Sequence, residues 1–297
     1  MIVIIQAHLP EEKAAVLCGL SPRIELIHVE PGEPWPAAAL RQAEVIYTSQ
    51  VDFDPRQSPR LRWVQLNTAA ANQMADNPIL GSGVVIATAS GAYSVAVAEC
   101  ALAMLLALTR RVPLACRAQM RHEWRDAALQ GEDLHGKTMG IIGYGSIGRQ
   151  IARVADAMGM VVLACKSNPQ NHRDDHYLLP GTGDPEGVTP RAWFGMDEMQ
   201  DVLRQSDIAM VTLPLTEETR GVIGRGEIEA LPPHAYFVNV GRGPVVDESA
   251  LLDALQNGRL AGAGLDVFEA EPLPPDSPFW DLPNVLVMPH VGSWTTA

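Results

Sequence analysis

The sequence predicts an α/β protein built from two doubly wound parallel-sheet domains, and three observations carry that prediction. A chain of 297 residues is longer than one hydrophobic core usually holds. Short strand-like apolar runs alternate with segments of helical spacing, twice over, with a polar stretch at 117–133 between the two series. The second series opens on a glycine-rich turn that joins a strand directly to a helix, Gly143-Tyr144-Gly145-Ser146-Ile147-Gly148.

The first series begins at the amino terminus. Met1-Ile-Val-Ile-Ile-Gln has no basic segment before it and is too short for a signal peptide, so it reads as the first strand. Strands are expected at residues 2–5, 24–29, 45–48, 61–66 and 84–87, with a helix at 11–18. The longest apolar stretch, residues 95–108, contains Glu99 and falls short of the ~20 residues a membrane span needs, so it reads as a buried helix. A polar stretch at 117–133 leads to the second series, with strands at 138–142, 161–164, 208–213, 236–240, 263–267 and 285–288. The Pro- and Gly-rich residues 180–190 interrupt it and read as a surface excursion without chemistry. The expected domains are 1–98 together with 291–297, and 99–290.

Composition narrows the partners. Hydrophobic residues make up 47% and charged residues 19%, as in an ordinary globular protein. Acidic residues outnumber Lys and Arg by 35 to 22, a net charge of −13 that repels a nucleic-acid backbone or an anionic membrane. A small anionic substrate is still admissible, because one Arg and a few backbone amides make a cleft locally positive. Cys18, Cys100, Cys116 and Cys165 are scattered without CxxC spacing. Three of them lie in apolar runs and read as buried thiols, which suits a reducing, cytoplasmic compartment. No metal site is expected.

The glycine-rich turn fits G-x-G-x-x-G in the context that gives the motif its meaning. Gly143 permits the tight turn, Gly145 lets a pyrophosphate approach the backbone, and Gly148 allows close helix–strand packing. Ser146 and Ile147 offer amides at the helix N-terminus. The second strand of such a unit ends in an acidic residue when the ligand carries a free ribose 2′-hydroxyl. Here it ends in Lys166-Ser167, about eighteen residues after Gly148. A cation suits a 2′-phosphate, so NADP is favoured over NAD; the alternative is a solvated loop lysine in a protein that accepts either.

Three polar residues stand at or just beyond the carboxyl ends of later strands, where open α/β sheets bind ligands: Arg242 in Asn-Val-Gly-Arg-Gly, Glu271 before Pro272, and His290 after Val-Met-Pro. Their chemistry is complementary. Reducing a carbonyl builds negative charge on its oxygen, and a histidine beside it can donate the proton. A carboxylate next to the imidazole fixes its tautomer, and an Arg fork matches a substrate carboxylate. Each has a plainer reading as an ion-pair former, a loop acid or a strand-end histidine; their combination argues for chemistry. Glu269 is a nearby carboxylate expected to face solvent.

These three segments, with Pro214 in Thr-Leu-Pro-Leu-Thr, resemble the signature blocks of the D-2-hydroxyacid dehydrogenases, and the resemblance runs over nearly the whole chain. It implies a Rossmann-type nucleotide domain inserted into a flavodoxin-like substrate domain, and hydride transfer between a nicotinamide and a small 2-hydroxy or 2-keto acid such as glyoxylate or hydroxypyruvate. It implies that Arg242 binds the substrate carboxylate and carbonyl, that His290 is the general acid/base and that Glu271 is its partner. Asp266 is implied to contact the nicotinamide amide, with Pro214, Val240, Arg242 and His290 also around the cofactor. Trp63-Val-Gln-Leu-Asn-Thr68-Ala69-Ala70 resembles the family's carboxylate loop, with Ala70 where Gly is usual. Tyr93 and Ser94 are candidates for the cleft, Ser94 equally for a helix cap, and Trp124 for a pocket edge or subunit contact. Glu271 argues against formate chemistry, for which the family carries Gln. The family implies a homodimer, with residues 95–108 in the contact. It also implies a helix after the catalytic His that returns to the first domain, whereas this sequence ends at Ala297. A second reading is a nicotinamide-sensing protein without turnover, like the transcriptional corepressors that share the fold.

Overall fold

The computed structural model of the protein describes residues 1–74, 76–124, 129–174 and 176–295. The polar stretch at 117–133 and the expected segment 291–297 extend over residues 125–128 and 296–297, outside those described. The chain divides into two compact units, Met1–Ser90 and Gly91–Ala297.

The first unit is a five-stranded parallel sheet. Its elements run β1 (Ile2–Gln6), α1 (Glu11–Gly19), β2 (Glu25–Val29), α2 (Ala37–Leu40), β3 (Ala43–Thr48), β4 (Trp63–Leu66) and β5 (Val85–Ala87), and the strand order is β2-β1-β3-β4-β5. This is the flavodoxin-like order that the sequence led us to expect. Ile4, Ile46, Val64 and Leu66 form its core with Met74 and Ile79. The strands supply half of that core, and α1 contributes no buried residue.

The second unit opens with α3 (Ser94–Thr109) and α4 (Val112–Met120). The helical run breaks between them at Arg111, whose backbone is left-handed (φ 57), just ahead of Pro113 in the first turn of α4. Then follow β6 (Thr138–Ile142), α5 (Ser146–Ala157), β7 (Val161–Cys165), β8 (Ala192–Phe194), α6 (Met199–Arg204), β9 (Ile208–Val211), α7 (Arg225–Ala230), β10 (Tyr236–Asn239), α8 (Glu248–Gln256), β11 (Gly262–Leu265) and β12 (Val285–Val287). They build one seven-stranded parallel sheet in the order β12-β11-β10-β9-β6-β7-β8. The order reverses between β6 and β9, which defines a doubly wound sheet. Period-two alternation feeds both faces: Met139, Ile141, Ile208, Met210 and Val238 pack toward α3 and α5, while Ile142, Ala209, Val211 and Phe237 pack toward α6, α7 and α8. Strand β8 was not anticipated, because three half-buried residues beyond a long excursion carry no periodic signal.

Three expectations are corrected. The units divide at Ser90 and not near residue 98, because Val97 and Ala98 pack in the core of the second unit. Val291 and Gly292 also belong to the second unit, their amides donating to Asp266. Of the four free cysteines only Cys165 is buried, its thiol pushed up to about 12 mainly by burial; Cys100 is half-buried and Cys18 and Cys116 are exposed. The reason lies in the helices that carry the exposed pair, since α1 buries nothing and α4 only Ala118. The excursion at 180–190 is more than surface. Asp184 is buried within it, accepts a hydrogen bond from the Tyr144 hydroxyl (2.8 Å) and lends its carbonyl to Arg149 Nη1 (2.5 Å). Arg149 is 1% exposed; its Nε lies 3.2 Å from Asp174 Oδ2 and its Nη2 donates to the His172 carbonyl. A buried guanidinium thus pins His172, Asp174 and Asp184 to α5, the helix that follows the glycine-rich turn. Among the described residues no helix is long and apolar enough to cross a membrane.

Candidate active site

Because every strand of the second sheet is parallel, its carboxyl ends share one edge, and the loops that leave them carry nearly all the residues singled out from the sequence. The glycine-rich turn follows β6. Gly143 has φ +100, a conformation in which a side chain would be strained. A Cβ on Gly148 would lie 2.5 Å from the Gly143 carbonyl oxygen and 3.0 Å from Ile141 Cγ2, so the helix can sit this close to the strand only with glycine there. Gly145 is exposed and a Cβ on it would meet nothing within 4 Å, which leaves clear space beside the first turn of α5. The amides of Ser146 and Ile147 stand in that first turn, where they have no intrahelical acceptor. The turn therefore fits a pyrophosphate.

Lys166 and Ser167 follow β7. Ser167 is exposed, whereas the Lys166 ammonium donates to the Asn171 carbonyl (2.9 Å) and lies 5.8 Å from the centre of the Trp193 ring. Burial, and then the charge of Arg149, lowers its pKa. Lys166 is thus a tethered, half-buried cation and not a freely solvated one. His172 stacks on that same Trp193 ring, at 4.4 Å between centres. Pro214 lies exposed just past β9, its carbonyl accepting from the Thr219 hydroxyl, and Val240 is buried just past β10.

The catalytic candidates leave β10, β11 and β12, three neighbouring strands. Arg242 is half-buried; Asn239 Nδ2 donates to its carbonyl and its own Nη1 donates to the Gly241 carbonyl at 2.7 Å. Burial lowers its pKa and the charge of Glu271 opposes that shift, which places the carboxylate within electrostatic reach. Gly243, next in line, could not be anything larger, since a Cβ there would lie 1.9 Å from the Phe268 carbonyl carbon. His290 Nδ1 is 2.6 Å from Glu271 Oε2, and the Phe268 amide donates to Glu271 Oε1 at 2.9 Å. With the carboxylate accepting, Nδ1 carries the proton, which leaves Nε2 as the ring nitrogen available for chemistry.

His290 has a left-handed backbone (φ 55), unusual for a residue with a side chain. Asp266 holds it there: its Oδ1 accepts from the Val291 amide (2.9 Å) and its Oδ2 from the Gly292 amide (3.0 Å). Asp266 is 2% exposed, and its carboxyl is raised above the usual range by burial. This anchoring of the histidine turn was not read from the sequence, where an Asp twenty-odd residues upstream gives no sign of its partner. Glu269 is exposed, as expected, though its amide donates to Glu248.

The remaining candidates lie elsewhere in the chain. Thr68, Ala69 and Ala70 form a loop after β4 in the first unit, where the Thr68 hydroxyl donates to the Ala70 carbonyl (2.6 Å). Ala70 is not among the residues with positive φ, so alanine is accommodated where glycine is usual. Ser94 is buried within the first turn of α3 and donates to the Gly91 carbonyl, and the capping position is taken by Tyr93. Trp124 is 94% exposed. Among the described residues no group of three or more His, Cys, Asp or Glu could hold a metal ion.

Comparison with known proteins agrees with this geometry. The profile of the D-isomer specific 2-hydroxyacid dehydrogenase NAD binding domain matches residues 102–292. A glyoxylate/hydroxypyruvate reductase B of Pectobacterium carotovorum subsp. carotovorum is 36% identical over 270 residues, covering 89% of this chain and 80% of that one. A D-3-phosphoglycerate dehydrogenase of Bacillus subtilis is 38% identical over 213 residues, but there the match spans only 38% of the relative. The crystal structure of a D-isomer specific 2-hydroxyacid dehydrogenase from Xanthobacter autotrophicus, in complex with NADPH and MES, superimposes with a TM-score of 0.80 at 27% identity, over 99% of this chain and 90% of that one. The chain belongs to the D-isomer specific 2-hydroxyacid dehydrogenases.

Proposed function

We propose that this nicotinamide-dependent enzyme is a reductase of small 2-keto acids that prefers NADPH, with Arg242, Glu271 and His290 as its catalytic residues. The observation that carries the reading is the 2.6 Å contact between His290 and Glu271 on the same sheet edge as the half-buried Arg242. Glyoxylate and hydroxypyruvate, named for the Pectobacterium relative, are the first acids to assay.

The nicotinamide, when bound, supplies the hydride in reduction and accepts it in oxidation. Gly143, Gly145 and Gly148 shape the room for the pyrophosphate, and the Ser146 and Ile147 amides hold it. Lys166 and Ser167 take the adenosine end, and Pro214, Val240 and Asp266 the nicotinamide end. The strands carrying these ends, β7 and β10, are three spacings apart, roughly 14 Å. Arg242 binds the carboxylate and polarises the carbonyl. His290 Nε2 gives its proton to the carbonyl oxygen as charge develops there, while Glu271 keeps the other ring nitrogen protonated.

The cofactor preference rests on Lys166 standing where an acidic residue would favour NAD. The expected kcat/KM is higher with NADPH than with NADH, and Lys166→Asp reverses that order. A clear NADH preference in the unaltered protein would refute it. The enzyme is also proposed to be a homodimer, with residues 95–108 contributing to the contact. Leu106 on α3, Val112 and Met120 on α4 and Trp124 beyond it are exposed apolar side chains that suit burial against a second copy. Light scattering should give twice the chain mass of 32.1 kDa, and a monomer would contradict the assignment. Four free thiols fit a reducing, cytoplasmic compartment.

A further inference from the structure

A cavity of about 470 Å³ lies against the His290–Glu271 pair, within the range of small-molecule pockets. Its other walls are apolar, with Phe268, Leu273, Trp280 and Val287 among them. These residues come from the turn after β11, the segment leading to β12, and β12 itself, so the pocket is built wholly within the second unit. Apart from His290 Nε2, which the proposed reduction uses, its polar side-chain groups are already engaged. Glu271 accepts from the Phe268 amide through Oε1 and faces His290 through Oε2. The Trp280 indole nitrogen, the one donor on that wall, is turned to the Pro274 carbonyl at 2.9 Å.

Such a lining selects among acids. Glyoxylate has no side chain to place in it, and the hydroxymethyl group of hydroxypyruvate would lose water there without gaining a dedicated partner. An aliphatic or aryl side chain loses nothing polar and gains contact with four apolar walls. We propose that this cavity receives the substrate side chain, and that the preferred substrates are 2-keto acids bearing a bulky apolar side chain. The inference rests on the reading of the protein as a keto-acid reductase and specifies its substrate class.

The test is the initial rate of NADPH oxidation by the native protein with glyoxylate, hydroxypyruvate, pyruvate, 4-methyl-2-oxopentanoate and phenylpyruvate. Methylene-sized differences in an apolar pocket are worth about tenfold or more, so kcat/KM for 4-methyl-2-oxopentanoate should exceed that for glyoxylate by at least about tenfold. Leu273→Asp sets a charge in the wall and Trp280→Ala removes one side of it; in each, the ratio between the two acids should fall by about tenfold, with thermal melting to verify folding. If glyoxylate is turned over as well as or better than the branched acid, or if the ratio survives in both folded variants, the substrate class is wrong and the reductase reading stands. If no acid is turned over, both fall. The comparison across acids in the native protein decides the matter even if one variant fails to fold.

Discussion

His290→Ala is expected to lower kcat for keto-acid reduction by about a hundredfold or more while nicotinamide binding persists, since general acid catalysis is typically worth 10²–10⁴-fold. The loss should be confined to chemistry because the turn that carries His290 is held by Asp266 through the Val291 and Gly292 amides, neither of which involves the imidazole. The glycine-rich turn follows a different strand, β6, and keeps its own packing. Cofactor fluorescence titration and steady-state rates on the same preparation separate the two effects. Undiminished turnover would remove His290 from the chemistry.

Arg242→Ala is expected to raise KM and lower kcat together, reducing kcat/KM by roughly 10²–10³, the range seen when one donor to a developing oxyanion is removed. A guanidinium that binds only the ground-state carboxylate would raise KM alone; the drop in kcat reports contact with the carbonyl oxygen as charge builds. The backbone should survive, because the Asn239 side chain clamps both the Arg242 carbonyl and the Gly241 amide. Arg242→Lys should restore little, since an ammonium cannot reproduce the planar fork. Unchanged kinetics in the alanine variant would exclude Arg242 from the site.

Both sheets, the glycine-rich turn and the positions of Arg242, Glu271 and His290 were legible because each leaves a local trace: period-two apolar strands, glycines at fixed offsets, and polar residues just past strand ends. What escaped was long-range pairing. Arg149 sits on a helix and would be assigned to solvent by its charge, yet it is buried because Asp174, Asp184 and His172 fold back over it from an excursion that hydropathy marks only as a loop. Asp266 reads as one more residue after a strand, and its hold on the histidine turn appears only when β11 and β12 lie side by side. The cysteines were misjudged for a related reason. Apolar neighbours in sequence do not bury a thiol when, as in α1, the helix packs no residue into the core. Conversely, Ala70 can stand where glycine is usual because its backbone needs no positive φ.

The claim that Arg242, Glu271 and His290 form a working reduction site is tested most directly by incubating the purified protein with NADPH and a 2-keto acid and following both reactants. Saturable NADPH consumption that depends on the acid is expected, with the 2-hydroxy acid formed in equal amount. Tight nicotinamide binding without consumption by any acid in the series would contradict it, and would instead favour a nicotinamide-sensing protein that keeps the fold without the turnover.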